Sequence, residues 1–267
     1  MRSFLLLLTL WAATLPALSA DFASQTVLCT YKLFHPASTG TCVIFSKPGE
    51  ATDTHQYLLV TAAHVLEGMP SDDATLVLRR SLPDATYQRV DTRIFVRHGG
   101  SPLWTRHSHE DVAVLPLQLP DDAPVFALDP NTLATEAGLK KLNIHVGSTL
   151  FSAVYPERRE ANLEGFPIVR QCTVASFPFF PVNAHKTFLM DAFAFHGDSG
   201  GPVFVRDDRN GSQTDENPPL IVGLVLAMWH TDEKTETPSE SREVRTPLGL
   251  ATTVHAQAIR ETLDLLK

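Results

Sequence analysis

From about Thr26 onward the chain is written in short apolar or alternating runs separated by turn-forming residues, and this pattern constrains its fold most. The runs are Thr41–Phe45, Tyr57–Val60, Thr75–Leu78, Asp91–Val96, Val112–Leu117, Ile144–Phe151, Pro167–Val174, Thr187–Phe195, Pro202–Val205 and Leu220–Met228. Each reads as a β-strand, and no helical period runs through the middle of the chain. Many short strands at such spacing predict an all-β sandwich or barrel. The end differs. Val254, Ala258, Ile259, Leu263 and Leu266 fall on one helical face, so a terminal α-helix is expected to pack on the β-body, capped by Thr252 or Thr253. Residues 206–219 and 231–247 are charged and contain Pro, and both read as exposed loops.

The first twenty residues read as a removable leader. A short basic start, Met1-Arg2-Ser3, precedes the apolar stretch Phe4–Leu18, and Leu18-Ser19-Ala20 offers a small residue before a cut ahead of Asp21. That is the layout of a secretory signal peptide, and Pro16 interrupts the run too early for a membrane span. A secreted or periplasmic protein with no membrane attachment after signal removal is expected. The 247 residues that remain suit one all-β domain. A formal net charge of −8 argues against nucleic acid or anionic lipid as a partner. Of the three cysteines, Cys29 and Cys42 flank the turn 35–40 and are expected to pair as a disulfide, leaving Cys172 as a buried thiol.

Three segments carry chemistry. In Gly197-Asp198-Ser199-Gly200-Gly201-Pro202, glycines around a serine allow a tight turn that exposes its hydroxyl. The N–H groups of Gly197 and Ser199 are placed to form an oxyanion hole. A glycine-rich hairpin would use the same residues without the chemistry. In Leu59-Val60-Thr61-Ala62-Ala63-His64 a β-run ends at small residues and a histidine, the side chain suited to general-base work near neutral pH. In Glu110-Asp111-Val112-Ala113-Val114-Leu115 an acid stands at the mouth of an apolar strand; Asp111, abutting the run, is preferred over Glu110 as the group that orients His64.

Together these blocks resemble the chymotrypsin/trypsin serine protease family, in its order His, Asp, Ser and with 47 and 88 positions between them. The resemblance runs from about Thr26 to the terminal helix and looks most like bacterial exported members. It implies two six-stranded antiparallel β-barrels with the site between them, one protease domain over residues 21–267, and a catalytic triad of His64, Asp111 and Ser199. It implies acyl transfer to Ser199 followed by hydrolysis, a protein or peptide substrate, and no cofactor or metal. The resemblance also places Phe193, six residues before the serine, at the floor of the substrate pocket, with Leu226, Ala227 and Met228 as its wall. All four are apolar, so an apolar P1 side chain is expected over Lys or Arg.

The sequence departs from the family at several points. No Ile/Val-Val-Gly-Gly segment is available to supply the new N-terminus that pairs with the acid before the serine, so Asp198 needs another cation or donor. Activity without such a cut is expected. The cysteine usual just past the histidine is missing, and Leu226 stands where the family places a serine that supports the triad acid. His98, His107 and His109 lack a third ligand at a recognisable spacing and are read as loop residues beside Asp111. A degenerate homologue that only binds peptides or a partner is the alternative, and it is disfavoured because no triad residue is lost.

Overall fold

The computed structural model describes residues 21–49, 55–205, 220–237 and 240–266. Residues 1–20, expected as a leader, and the charged segment 206–219 lie outside them. The chain opens with α1 (Phe22–Cys29), which the reading of the chain as β did not anticipate. Asp21 caps it through a 2.9 Å hydrogen bond from Ser24 N–H. Phe22, Thr26 and Cys29 point inward at helical spacing.

The first half is a seven-stranded antiparallel sheet. Its strands are β1 (Thr30–His35), β2 (Ser38–Pro48), β3 (His55–Thr61), β4 (Asp73–Ser81), β5 (Tyr87–Phe95), β8 (Thr105–Arg106) and β9 (Ala113–Pro116), in the order β5-β4-β1-β2-β3-β9-β8. A small ribbon of β6 (Arg97–His98) and β7 (Ser101–Pro102) lies beside it, and the short helix α2 (Ala63–Glu67) follows β3. The expected first barrel is thus an unclosed sheet, because the edge strands β5 and β8 do not pair with each other.

Past α3 (Glu136–Lys141), the second half is a closed six-stranded barrel in the order β10-β11-β12-β15-β14-β13. Its strands are β10 (Thr149–Val154), β11 (Ile168–Val174), β12 (Thr187–Asp191), β13 (Pro202–Phe204), β14 (Ile221–Thr237) and β15 (Glu240–His255). Segment 231–247 is therefore not a loop. It is the outer part of the β14–β15 hairpin, where Asp232 stands opposite Arg245 and Lys234 opposite Glu243. Opposite charges across a ladder support strands that have no core to face, and that reads as a loop by composition alone. The terminal helix α4 (Ala256–Asp264) begins later than expected, with His255 as N-cap, because Val254 is still in β15. Ala258, Ile259 and Leu263 are buried as anticipated.

The cysteine pairing is corrected: Cys29, Cys42 and Cys172 are three separate buried thiols. Cys42 faces Tyr31 in the β1–β2 register, whereas Cys29 ends a helix two residues before Tyr31. Cys29 thus lies before the ladder begins, outside the register that would set it opposite Cys42. Burial pushes the thiols up, to about 12 for Cys29 and Cys172, so each is held as the neutral thiol.

Arg79 of β4 joins the halves at the core. It is fully buried, and its Nη2 donates to the carbonyls of Thr30 at 2.7 Å, Leu28 at 2.8 Å and Val27 at 3.4 Å. Its Nη1 donates to Gly165 O at 2.9 Å and Tyr155 Oη at 3.2 Å in the second half. The guanidinium lies between the rings of Tyr31 and Phe166, 4.4 and 4.6 Å from their centroids. Replacing Arg79 by Met removes the donors and strands buried carbonyls. We expect a loss of about 3 kcal/mol or more in urea unfolding. Arg79→Lys should not restore it, because an ammonium lacks the planar fork.

Candidate active site

His64 and Asp111 come from the first half and Ser199 from the second. Ala62 ends the β3 run and caps α2, so His64 sits in the first turn of a helix at the rim of the sheet. Asp111 stands just before β9, which pairs with β3 through Thr61↔Ala113 and brings the acid beside the histidine. Asp111 Oδ2 lies 2.6 Å from His64 Nδ1, and Oδ1 accepts from His64 backbone N–H at 2.9 Å. This two-point grip fixes both the ring and its backbone. Burial would raise the Asp111 carboxyl, but the hydrogen bonds and charge of His64, with help from Arg106, hold it below the usual carboxylate range.

The loop before β9 is shaped by His107, which the sequence reading left as a loop residue. Its Nδ1 accepts from Glu110 N–H at 2.9 Å and from His109 N–H at 3.2 Å, and its Nε2 lies 2.9 Å from Glu261 of α4. The terminal helix therefore braces the turn that carries Asp111.

Ser199 lies in the turn between β12 and β13. Two glycines there occupy positive φ, Gly197 at 101° and Gly200 at 85°. A Cβ on Gly200 would strike Thr41 O and Thr61 Oγ1, so the turn is pressed directly against the first sheet. Thr41 of β2 clamps it: its N–H donates to Ser199 O at 2.9 Å and its hydroxyl to Gly197 O at 2.7 Å. Nothing in the sequence marks Thr41 for this role.

The N–H groups of Gly197 and Ser199 have no acceptor among the described residues. Gly197 N–H is aimed by the peptide before it. Glu157 N–H donates to His196 O at 2.7 Å, and in a trans peptide the next N–H then points the opposite way. Glu157 and Arg158 both adopt left-handed backbone, φ 50° and 63°, although neither is glycine. Strain of about 1–2 kcal/mol per residue is thus stored at the pin of this peptide. Ser199 Oγ donates to Leu226 O at 2.8 Å, and no hydrogen bond joins it to His64. Leu226 meets the site through its carbonyl; the hydrogen bonds to Asp111 come from His64 instead.

Arg170 of β11 answers the question left by Asp198. Asp198 is 1% exposed; its Oδ2 accepts from Phe195 N–H at 2.9 Å and lies 3.4 Å from Arg170 Nη1, while Oδ1 has no partner among the described residues. Burial drives its carboxyl up to about 6, against the pull of Phe195 N–H and Arg170, and Glu157 adds to the push.

A cavity of about 220 Å³ opens beside Ser199, walled by Phe195, Met228 and Pro247 and rimmed by His196, His230 and Arg245. Of the four residues named from sequence, only Met228 lines it. Phe193 is 51% exposed and packs over Gly249, Leu226 is buried, and Ala227 faces solvent. Register shifts in the β14–β15 ladder at 225–230 turn the strand, and counting positions along the sequence cannot foresee them.

The trypsin-like peptidase domain family matches residues 40–211, well over half of the chain and all three site segments. The chain belongs to the trypsin-like peptidase family. Its members act on protein or peptide substrates. No curated protein matches the chain. Among solved structures it is similar to the Rv3671c protease in its inactive form, at 16% identity and TM-score 0.50 over 91% of each chain. It is also similar to a serine-to-alanine mutant of Rv3671c from M. tuberculosis H37Rv, inactive form, at 16% identity and TM-score 0.49, covering 94% of this chain and 93% of that one. At that identity the likeness concerns the fold alone.

Asp198 yields a pH prediction. Its carboxyl binds a proton more readily in the folded chain than in the unfolded one, so its contribution to stability is largest at low pH and is lost as pH rises through about 4 to 6. Relative to Asp198→Asn, the native chain should lose stability across that interval and change little above pH 7, as read from urea midpoints. Arg170→Met should move the loss to higher pH, because the cation that favours the carboxylate is gone.

Proposed function

We propose that the chain is a serine endopeptidase with His64, Asp111 and Ser199 as its triad. The observation that carries this reading is the two-point contact of Asp111 with His64. An Nδ1–H held by a carboxylate leaves Nε2 as the free acceptor, which is the tautomer needed to take a proton from a serine. In this reading the Ser199 hydroxyl leaves Leu226 O for Nε2 when substrate binds, since catalytic hydrogen bonds often tighten only in the complex. Ser199 Oγ then attacks the scissile carbonyl carbon while His64 takes its proton. The oxyanion accepts from Gly197 and Ser199 N–H. As the C–N bond breaks, His64 gives the proton to the leaving amine, and water repeats the sequence on the acyl-enzyme.

We also propose that the protein is exported, secreted or periplasmic, after loss of residues 1–20. In support, α1 starts one residue beyond the expected cut and uses Asp21 as its cap. A second reading, an inactive homologue that binds peptides, draws on the Ser199 hydroxyl being turned to Leu226.

Labelling with a fluorophosphonate separates the two. Protein beginning at Asp21 should be labelled without any further cut, and Ser199→Ala should not. In peptide hydrolysis, Ser199→Ala and His64→Ala should each lower kcat by about 10⁴-fold or more, and the double variant little further. Equal hydrolysis by native protein and Ser199→Ala would overturn the enzyme reading.

A further inference from the structure

We propose that the cavity beside Ser199 selects an acidic P1 side chain, glutamate above all, through Arg245; this rests on the endopeptidase reading. The outer β14–β15 hairpin leans one face over the Ser199 turn. His230 stands opposite Pro247 and Asp232 opposite Arg245 in the ladder, and His230, Pro247 and Arg245 all reach the cavity. Among the described residues, no carboxylate lines it. Asp232 sits behind the rim, 3.1 Å from Arg245 Nε and 3.6 Å from His230 Nε2. The bond to Asp232 uses the Nε edge of the guanidinium. Its Nη atoms have no partner among the described residues, so the fork that matches a carboxylate in two parallel hydrogen bonds is open.

The rest of the cavity suits the stem of such a side chain. Phe195, Met228 and Pro247 offer apolar surface to methylene groups, and Arg245 shares the lining with them. His196 and His230 add donors at the same rim. The setting strengthens the assignment: in a chain of formal net charge −8, a cavity lining whose one charged side chain among the described residues is Arg245 runs against the overall field. A lysine or arginine side chain would meet Arg245 as a like charge. An aliphatic side chain would bury its stem but leave the open fork unanswered.

Paired peptides that differ only as Glu or Gln at P1 isolate the charge. In the native protein, kcat/KM for Glu should exceed that for Gln by about 10-fold, the size of a charge-assisted contact at a partly exposed rim. In Arg245→Gln the ratio should fall to about 1–2, through loss of kcat/KM on the Glu peptide, with the urea unfolding midpoint like that of the native protein. Arg245→Glu should invert the preference toward Lys. A native Glu to Gln ratio near 1 with labelling intact overturns the proposal and leaves the protease reading standing. A ratio that survives Arg245→Gln overturns the assignment to Arg245. Absence of labelling in the native protein overturns the protease reading itself.

Discussion

A fully buried arginine, paired with no carboxylate among the described residues, organises this molecule. Burying a guanidinium is tolerable only where carbonyls and aromatic faces replace its hydration, and Arg79 finds both. Its partners come from different parts of the chain. The Leu28 and Thr30 carbonyls fix where α1 hands over to β1, and Gly165 and Tyr155 belong to the second half. One side chain thereby sets the position of the first helix, the first strand and the seam together.

From that seam the order propagates to the site. Tyr155 hydrogen-bonds to the Arg79 cluster through its hydroxyl, and its backbone N–H donates to Thr41 Oγ1 at 3.2 Å. Thr41 in turn holds the Ser199 turn through Ser199 O and Gly197 O. Glu157, two residues beyond Tyr155, fixes the peptide before Gly197. A continuous set of hydrogen bonds thus links the buried cation to the two N–H groups proposed to receive the oxyanion. The arrangement is rigid because every link is a backbone group or a buried side chain.

The family was legible because its chemistry is written in contiguous blocks. A serine that needs a glycine turn and a histidine that needs small neighbours leave marks a few residues long, and both were found where the structure puts a turn and a helix start. Long-range partners leave no such mark. Nothing near Thr41, His107 or Arg170 distinguishes them from other strand or loop residues, since each acts on a segment more than fifty positions away or on a loop whose shape is set elsewhere. Counting positions cannot foresee which way Ala227 faces, because a shift in ladder register changes the side on which a strand residue lies. Composition failed at 231–247, where strands held by opposite charges look like solvent-exposed loop.

The division of labour across the seam has a wider consequence. The first half holds His64 and Asp111 already locked together, and the second holds Ser199 with its donors already aimed. Each is a finished component, and neither is competent by itself. If the chain is the endopeptidase proposed here, turnover is a gauge of how well two parts are docked, more sensitive than any spectrum of the parts. A displacement of an ångström across Thr41 and Gly200 would leave both cores intact and the molecule silent. In such a design, loss of function precedes loss of structure, and heat, denaturant or mutation is felt first at the join.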